Sequence, residues 1–184
     1  MEIADQLDRA LAQTGAIVDA IGNDQLDLPT PCEDWNVRTV IAHLVRGNEN
    51  TAAVAKGEPR QPNPIADVGE YPQRAYQESV ADVRQAWQDP ALLDQTFASA
   101  MGDMPGRVLL TLRLSDNVTH GWDLARATGQ TPRYDDDIVQ TALGFVGSAF
   151  GQRRPVGGPF APPVPVPDSA PPIDRLAAYL GRKP

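Results

Sequence analysis

Residues 106–129 read GRVLLTLRLSDNVTHGWDLARATG, and this stretch decides the fold. On a wheel turned by about 100° per residue, Leu110, Leu114, Gly121, Leu124 and Ala125 fall on one side, so the spacing predicts a helix that Gly129 stops. It is the fourth and strongest of the helical segments. Residues 3–22 carry Ile3, Leu7, Leu11, Ile17, Val18 and Ile21 at helical spacing, ending at Gly22. Residues 36–57, NVRTVIAHLVRGNENTAAVAKG, form a second helix that Asp34 or Asn36 caps and Gly57 ends. A third runs from about Tyr71 to Gln88. A fifth, residues 135–152, opens on three aspartates that oppose the positive end of its dipole. The segment IDRLAAYL, residues 173–180, closes the chain as a short helix. No stretch alternates long enough to build a sheet, so the expectation is an all-α bundle in a single domain over residues 1–184.

Between residues 155 and 172, eight of eighteen residues are proline. That segment is expected to be an extended, polyproline-like strap that lies across the bundle and buries Phe160. Composition excludes several function classes. The net charge of −8 repels phosphate backbones, which argues against nucleic-acid binding. Cys32 is the single cysteine, so no intramolecular disulfide forms. No signal peptide and no membrane span is expected, which predicts a cytoplasmic monomer or homodimer.

The chain has two histidines. Asp116 and His120 are four residues apart on the fourth helix, about 40° apart on the wheel, and point the same way. They can hold one metal ion together or simply hydrogen-bond each other. His43 sits at the edge of the core stripe of the second helix, with Gly47 one turn later removing a side chain from its flank. If those two helices face each other, His43 reaches the Asp116–His120 pair. Two histidines and one carboxylate form a recurrent catalytic metal set with positions left for water or substrate.

The motifs LPTPCEDWNVRTVIAHLV (residues 28–45) and SDNVTHGWDLARATGQ (residues 115–130) resemble the paired signatures of the DinB-like superfamily branch that contains mycothiol-dependent maleylpyruvate isomerase. The C-terminal segment, FAPPVPVPDSAPPIDRLAAYLGRKP, is similar to the tail of its short, metal-binding members. The resemblance spans essentially the whole chain. It implies a DinB-like four-helix bundle with a divalent metal, Zn2+ or else Ni2+ or another divalent ion, held by His43, Asp116 and His120. The acidic ligand of the isomerase is a glutamate, where this chain has the shorter aspartate. The isomerase also carries an extra C-terminal domain for which 184 residues leave little room.

What the resemblance implies chemically is metal-dependent S-transfer of a low-molecular-weight thiol, such as mycothiol, to a small electrophile. The alternatives are a non-catalytic metal-binding protein and a metal-dependent hydrolase or isomerase of the same superfamily. Arg113, about one turn before Asp116, either binds a substrate carboxylate or pairs with Asp116. Asp123 either holds the second nitrogen of His120 or pairs with Arg126, the reading that spacing favours. Cys32 is expected to pack as a small apolar group rather than act as a nucleophile. Trp35 and Trp122 are expected in the core or in a pocket wall.

Overall fold

The computed structural model describes residues 2–99, 102–150 and 160–184. Its helices are α1 (Ile3–Asp19), α2 (Val37–Lys56), α3 (Pro72–Ala86), α4 (Gly106–Ala127), α5 (Asp136–Phe150) and α6 (Pro172–Tyr179). Short 3-10 turns lie at Asn23–Gln25 and Pro90–Leu93. The fold is all-α and DinB-like. No helix among the described residues is long and apolar enough to cross a membrane.

Local chemistry sets the ends of α2. Asn36, not Asp34, caps it: Asn36 Oδ1 accepts from the Thr39 amide at 2.9 Å and from the Thr39 hydroxyl at 2.7 Å. Asp34 takes a left-handed φ of 67° in the preceding loop. In that loop the Thr30 hydroxyl donates to the Trp35 carbonyl at 2.8 Å, which fixes where the indole goes. Gly57 ends the helix with φ 71°. The first helix stops at Asp19, short of Gly22, which leads into the turn at Asn23–Gln25.

The apolar residues of α4 line up as expected, but the helix is not one-sided. From Arg113 to Ala125 every residue except Asp116 is buried, because α1, α2, α5 and α6 all pack on it. A polar side chain buried there must find partners. Asn117 Oδ1 accepts from the Tyr76 hydroxyl at 3.0 Å, and its amide donates to the Arg113 carbonyl at 3.2 Å. Asn48 donates to Ser79 Oγ at 3.0 Å. These bonds tie α2, α3 and α4 together beneath the site.

Gly121 is required by packing. A Cβ there would overlap the Tyr134 hydroxyl, which bonds Thr14 Oγ1 on α1 at 2.8 Å. Gly121→Ala is therefore expected to destabilise by about 1–3 kcal/mol through overpacking, read as a lower chemical-denaturation midpoint. An unchanged midpoint would show that Tyr134 moves aside freely.

One element departs from the all-helix expectation. Strands β1 (Thr96–Phe97) and β2 (Met104–Pro105) pair antiparallel, Thr96 against Pro105 and Phe97 against Met104. Two residues are too few to show a period in sequence. The strap is partly described. Residues 155–159, including Val156, and the end of the expected fifth helix at 151–152 lie outside the described residues. From Phe160 onward the chain touches the bundle only at points: Phe160 is half-buried rather than buried as expected, and residues 161–163, 165 and 167–169 are exposed. The Phe160 ring meets Phe150 edge-on at 4.9 Å, and the Val164 amide donates to the Ala178 carbonyl of α6 at 2.9 Å. Gly181 then turns with φ 88° tight against Ala161 and sends Arg182 inward.

Candidate metal centre

His43 on α2 and Asp116 and His120 on α4 come together where those helices pack. His43 Nε2 lies 3.4 Å from Asp116 Oδ1, and His120 Nε2 lies 3.5 Å from the same oxygen. One ligand atom from each of the three lies within 4.8 Å of the others. A tetrahedral ion with bonds of about 2.0–2.2 Å spaces its donors roughly 3.3–3.6 Å apart, so both distances to the carboxylate match such a site. Trp35 walls the centre, with ring centroids 4.8 Å from His43 and 5.7 Å from His120.

The outward nitrogens are already committed. His43 Nδ1 lies 3.2 Å from the Pro64 carbonyl oxygen, and His120 Nδ1 lies 3.0 Å from Asp123 Oδ2. Both partners only accept, so both Nδ1 atoms carry a proton and each Nε2 is the atom that faces Asp116. Each Nε2 can meet the carboxylate either as an N–H donor or, with its lone pair, through a metal ion that the three share. Burial pushes the Asp116 carboxyl up, but the charges of Arg113, His43 and His120 outweigh it and hold it well below the usual carboxylate range.

Sequence reasoning missed Arg182. Its Nε donates to Asp123 Oδ1 at 3.1 Å and its Nη2 to Asp123 Oδ2 at 2.9 Å. Asp123 is 0% exposed and Arg182 7%. Burial pushes the Asp123 carboxyl up, and the hydrogen bonds from His120 and Arg182 override that and keep it ionised. The expected pairing of Asp123 with Arg126 is corrected. Arg126 stacks over the Trp122 ring at 5.2 Å and reaches Asp174 at 4.0 Å, because α6 brings that carboxylate to the outer face of α4. Trp122 is buried and its Nε1 donates to Asp174 Oδ1 at 2.7 Å, a structural role.

Both readings of Arg113 have a place in the structure. Its Nη2 lies 2.9 Å from Asp116 Oδ2, within ion-pair reach though off the line of a hydrogen bond. Gly47 leaves room for it, since a Cβ at that position would overlap Arg113 Nη1. Arg113 also lines a cavity of about 620 Å³ that runs from His43 and Asp116 along α2 and α4 to the connection at Arg60–Pro64.

Cys32 is half-buried near His120 and Asp123, and the three could in principle hold a second ion. The guanidinium of Arg182 already occupies both Asp123 oxygens, and His120 Nδ1 is committed, so a cation there would meet a buried positive charge. Burial, with Asp123 adding to it, pushes the Cys32 thiol up to about 11, which leaves it protonated at neutral pH.

Residues 7–125 match the family described as mycothiol maleylpyruvate isomerase N-terminal domain. Two uncharacterized proteins, from two strains of Mycobacterium tuberculosis, are each 36% identical over 178 residues, covering 95% of this chain and 94% of theirs. Crystal structures of the mycothiol-dependent maleylpyruvate isomerase and of a histidine-to-alanine mutant of it give TM-scores of 0.62 and 0.66. Both are 18% identical to this chain; they cover 77% and 83% of it and 68% and 70% of their own length. At that identity the likeness is one of fold. The family match covers well over half of the chain, takes in His43, Asp116 and His120 and most of α1 through α4, and on that ground the chain belongs to the mycothiol maleylpyruvate isomerase N-terminal domain family.

Proposed function

We propose that the protein is a mycothiol-dependent enzyme of the isomerase or transferase type, and more finely a metal-dependent S-transferase that joins a low-molecular-weight thiol to a small electrophile. The observation that carries this reading is the convergence of His43 Nε2, His120 Nε2 and Asp116 Oδ1 with both Nδ1 atoms already taken. These three residues would hold one divalent cation, with zinc suited to a set of two nitrogens and one oxygen. The bound ion would supply Lewis acidity that lowers the pKa of a coordinated thiol, since the thiolate is the nucleophile.

The chain's own residues set the stage for that chemistry. The Pro64 carbonyl fixes the tautomer and ring angle of His43, and Asp123 with Arg182 does the same for His120. Arg113 and Asp116 share charge at the head of the cavity, so the cation side of the site is not left with an uncompensated carboxylate. Trp35 packs its ring against both imidazoles. No protein side chain has to act as nucleophile. Cys32→Ser is accordingly expected to leave turnover within about twofold of the parent, because a thiol this far protonated contributes no attacking anion. A Cys32→Ser variant that loses turnover while keeping its metal would move the nucleophile onto the protein.

The test of the reaction incubates zinc-loaded protein with mycothiol and 1-chloro-2,4-dinitrobenzene and follows thiol consumption. Consumption well above that of the chelator-treated control supports S-transfer. Equal rates at several thiols and electrophiles leave a protein that binds metal without turning it to this use.

A further inference from the structure

The cavity beside the centre differs in charge from the rest of the molecule. The chain carries −8 overall. Arg46, Arg60 and Arg113 nevertheless all line this one space, while Asp116 is the sole carboxylate residue of its wall. Asp116 is already matched by Arg113. Low-dielectric walls focus such a field inward.

Two of these cations have donors to spare. Arg113 is 5% exposed, and its Nε is buried with no hydrogen-bond acceptor among the described residues. Arg46 gives Nη1 to Glu49 at 2.6 Å, but its Nε is buried without an acceptor as well. Arg60 pairs with no carboxylate among the described residues. Those Nε atoms are too deep to be reached from the cavity, so an anion there would meet the Nη ends of the two guanidinium groups. Leu109 and Leu112 on α4 and the Trp87 ring after α3 give the wall a broad carbon face, with the polar side chains of Asn50, Thr51, Gln61 and Ser99 elsewhere on it. A volume of about 620 Å³ is far more than a small dianion needs, and lies within the range of sites for drug-sized ligands.

We propose that this cavity binds an amphipathic monoanion, with its carboxylate on Arg113 and Arg46, Arg60 at the mouth, and an apolar body along Leu109, Leu112 and Trp87. The inference rests on the reading of the metal centre only in assigning that ligand the part of electrophilic co-substrate. It selects a hydrophobic acid over a small, doubly charged one, because a small dianion would leave the carbon of Leu109, Leu112 and Trp87 uncovered, whereas an apolar body buries it.

Decanoate, decan-1-ol and maleate serve as probes, titrated calorimetrically into the full chain in zinc-loaded and in chelator-treated form. Decanoate is expected to bind one to one, about tenfold or more tighter than either of the others, as a charge-assisted bond in a partly desolvated site implies. Arg46→Gln and Arg60→Gln are each expected to weaken decanoate about fivefold and to leave decan-1-ol unchanged. Arg113→Gln is the more direct change, but it strips Asp116 of its partner in a packed helix, so the two outer arginines and Leu112→Gln, expected to weaken decanoate and decan-1-ol alike, carry the test. Decan-1-ol binding as tightly as decanoate, maleate binding as tightly, or both arginine variants binding decanoate like the parent would each overturn the proposal. Decanoate binding as described in a protein that takes up no zinc would sink the metal centre and keep this inference. Zinc uptake with no decanoate binding would do the reverse.

Discussion

Replacing His120 with alanine is expected to take the protein from about one bound zinc per chain to none, and to bring thiol turnover down to the rate of the chelator-treated parent. The ring is 6% exposed and makes two contacts, Nε2 toward Asp116 and Nδ1 to Asp123. Alanine removes one of three proposed ligands, and two donors do not hold a divalent ion against water at neutral pH. It also leaves Asp123 with Arg182 alone and opens a cavity where the imidazole packed, so some loss of stability accompanies the loss of metal. His120→Gln separates the two effects. It fills most of the space without supplying an imidazole nitrogen, so it should recover stability and not zinc. Zinc retained at full stoichiometry in His120→Ala, measured by elemental analysis after dialysis, would remove His120 from the centre.

The second large effect is expected far from the helix that carries the ligands. Arg182 is the third residue from the end of the sequence, yet it is buried and gives two hydrogen bonds to the fully buried Asp123. Arg182→Ala leaves a buried carboxylate with one partner. Breaking a buried pair from one side costs about 3–5 kcal/mol, which in a chain of this size lowers the melting temperature by roughly 6–20 °C. The remaining carboxylate–imidazole contact no longer has a fixed direction, so zinc affinity should fall about 10–100-fold. Arg182→Lys keeps the charge but cannot reproduce the two-pronged contact, and should recover only part of both losses. Differential scanning calorimetry and competition with a chromophoric chelator read the two quantities. An Arg182→Ala protein as stable as the parent and as tight for zinc would show that the tail is not part of the centre.

Much of this was legible in the sequence because helices transmit spacing faithfully. Asp116 and His120 four residues apart had to share a face, and His43 on the core edge of another helix could reach them once the two helices faced each other. The unusual Gly121 inside HGWD follows from its contact with Tyr134, which spacing alone does not reveal. The wheel of α4 misled in one respect. It predicted one buried side, and four neighbouring helices bury the helix all round, so Asn117 and Asp123, which lie off the predicted stripe, are interior as well. Burial changes which partner wins. On an exposed helix Asp123 would pair with Arg126 three residues on. Inside the bundle it faces His120, and its cation arrives from the C-terminus by way of the turn at Gly181. No local pattern announces a contact across 59 residues. The only clue available was an arithmetic one, since a carboxylate among Leu124, Ala125 and Trp122 has to find a positive charge somewhere. Arg46 and Arg60 escaped notice for the same reason: a cavity wall drawn from two helices and a loop has no period.

The central claim is that three side chains hold a metal with a position open to a thiol, and cobalt substitution tests it most directly. Cobalt(II) replaces zinc in such sites and reports its ligands in the absorption spectrum. Mycothiol added to the cobalt form of the parent is expected to produce an intense near-ultraviolet sulfur-to-cobalt band that saturates at one thiol per metal, and to leave Cys32→Ser behaving identically. A protein that binds cobalt through His43, Asp116 and His120 but shows no spectral change with any thiol, or one that binds no cobalt at all, would contradict it.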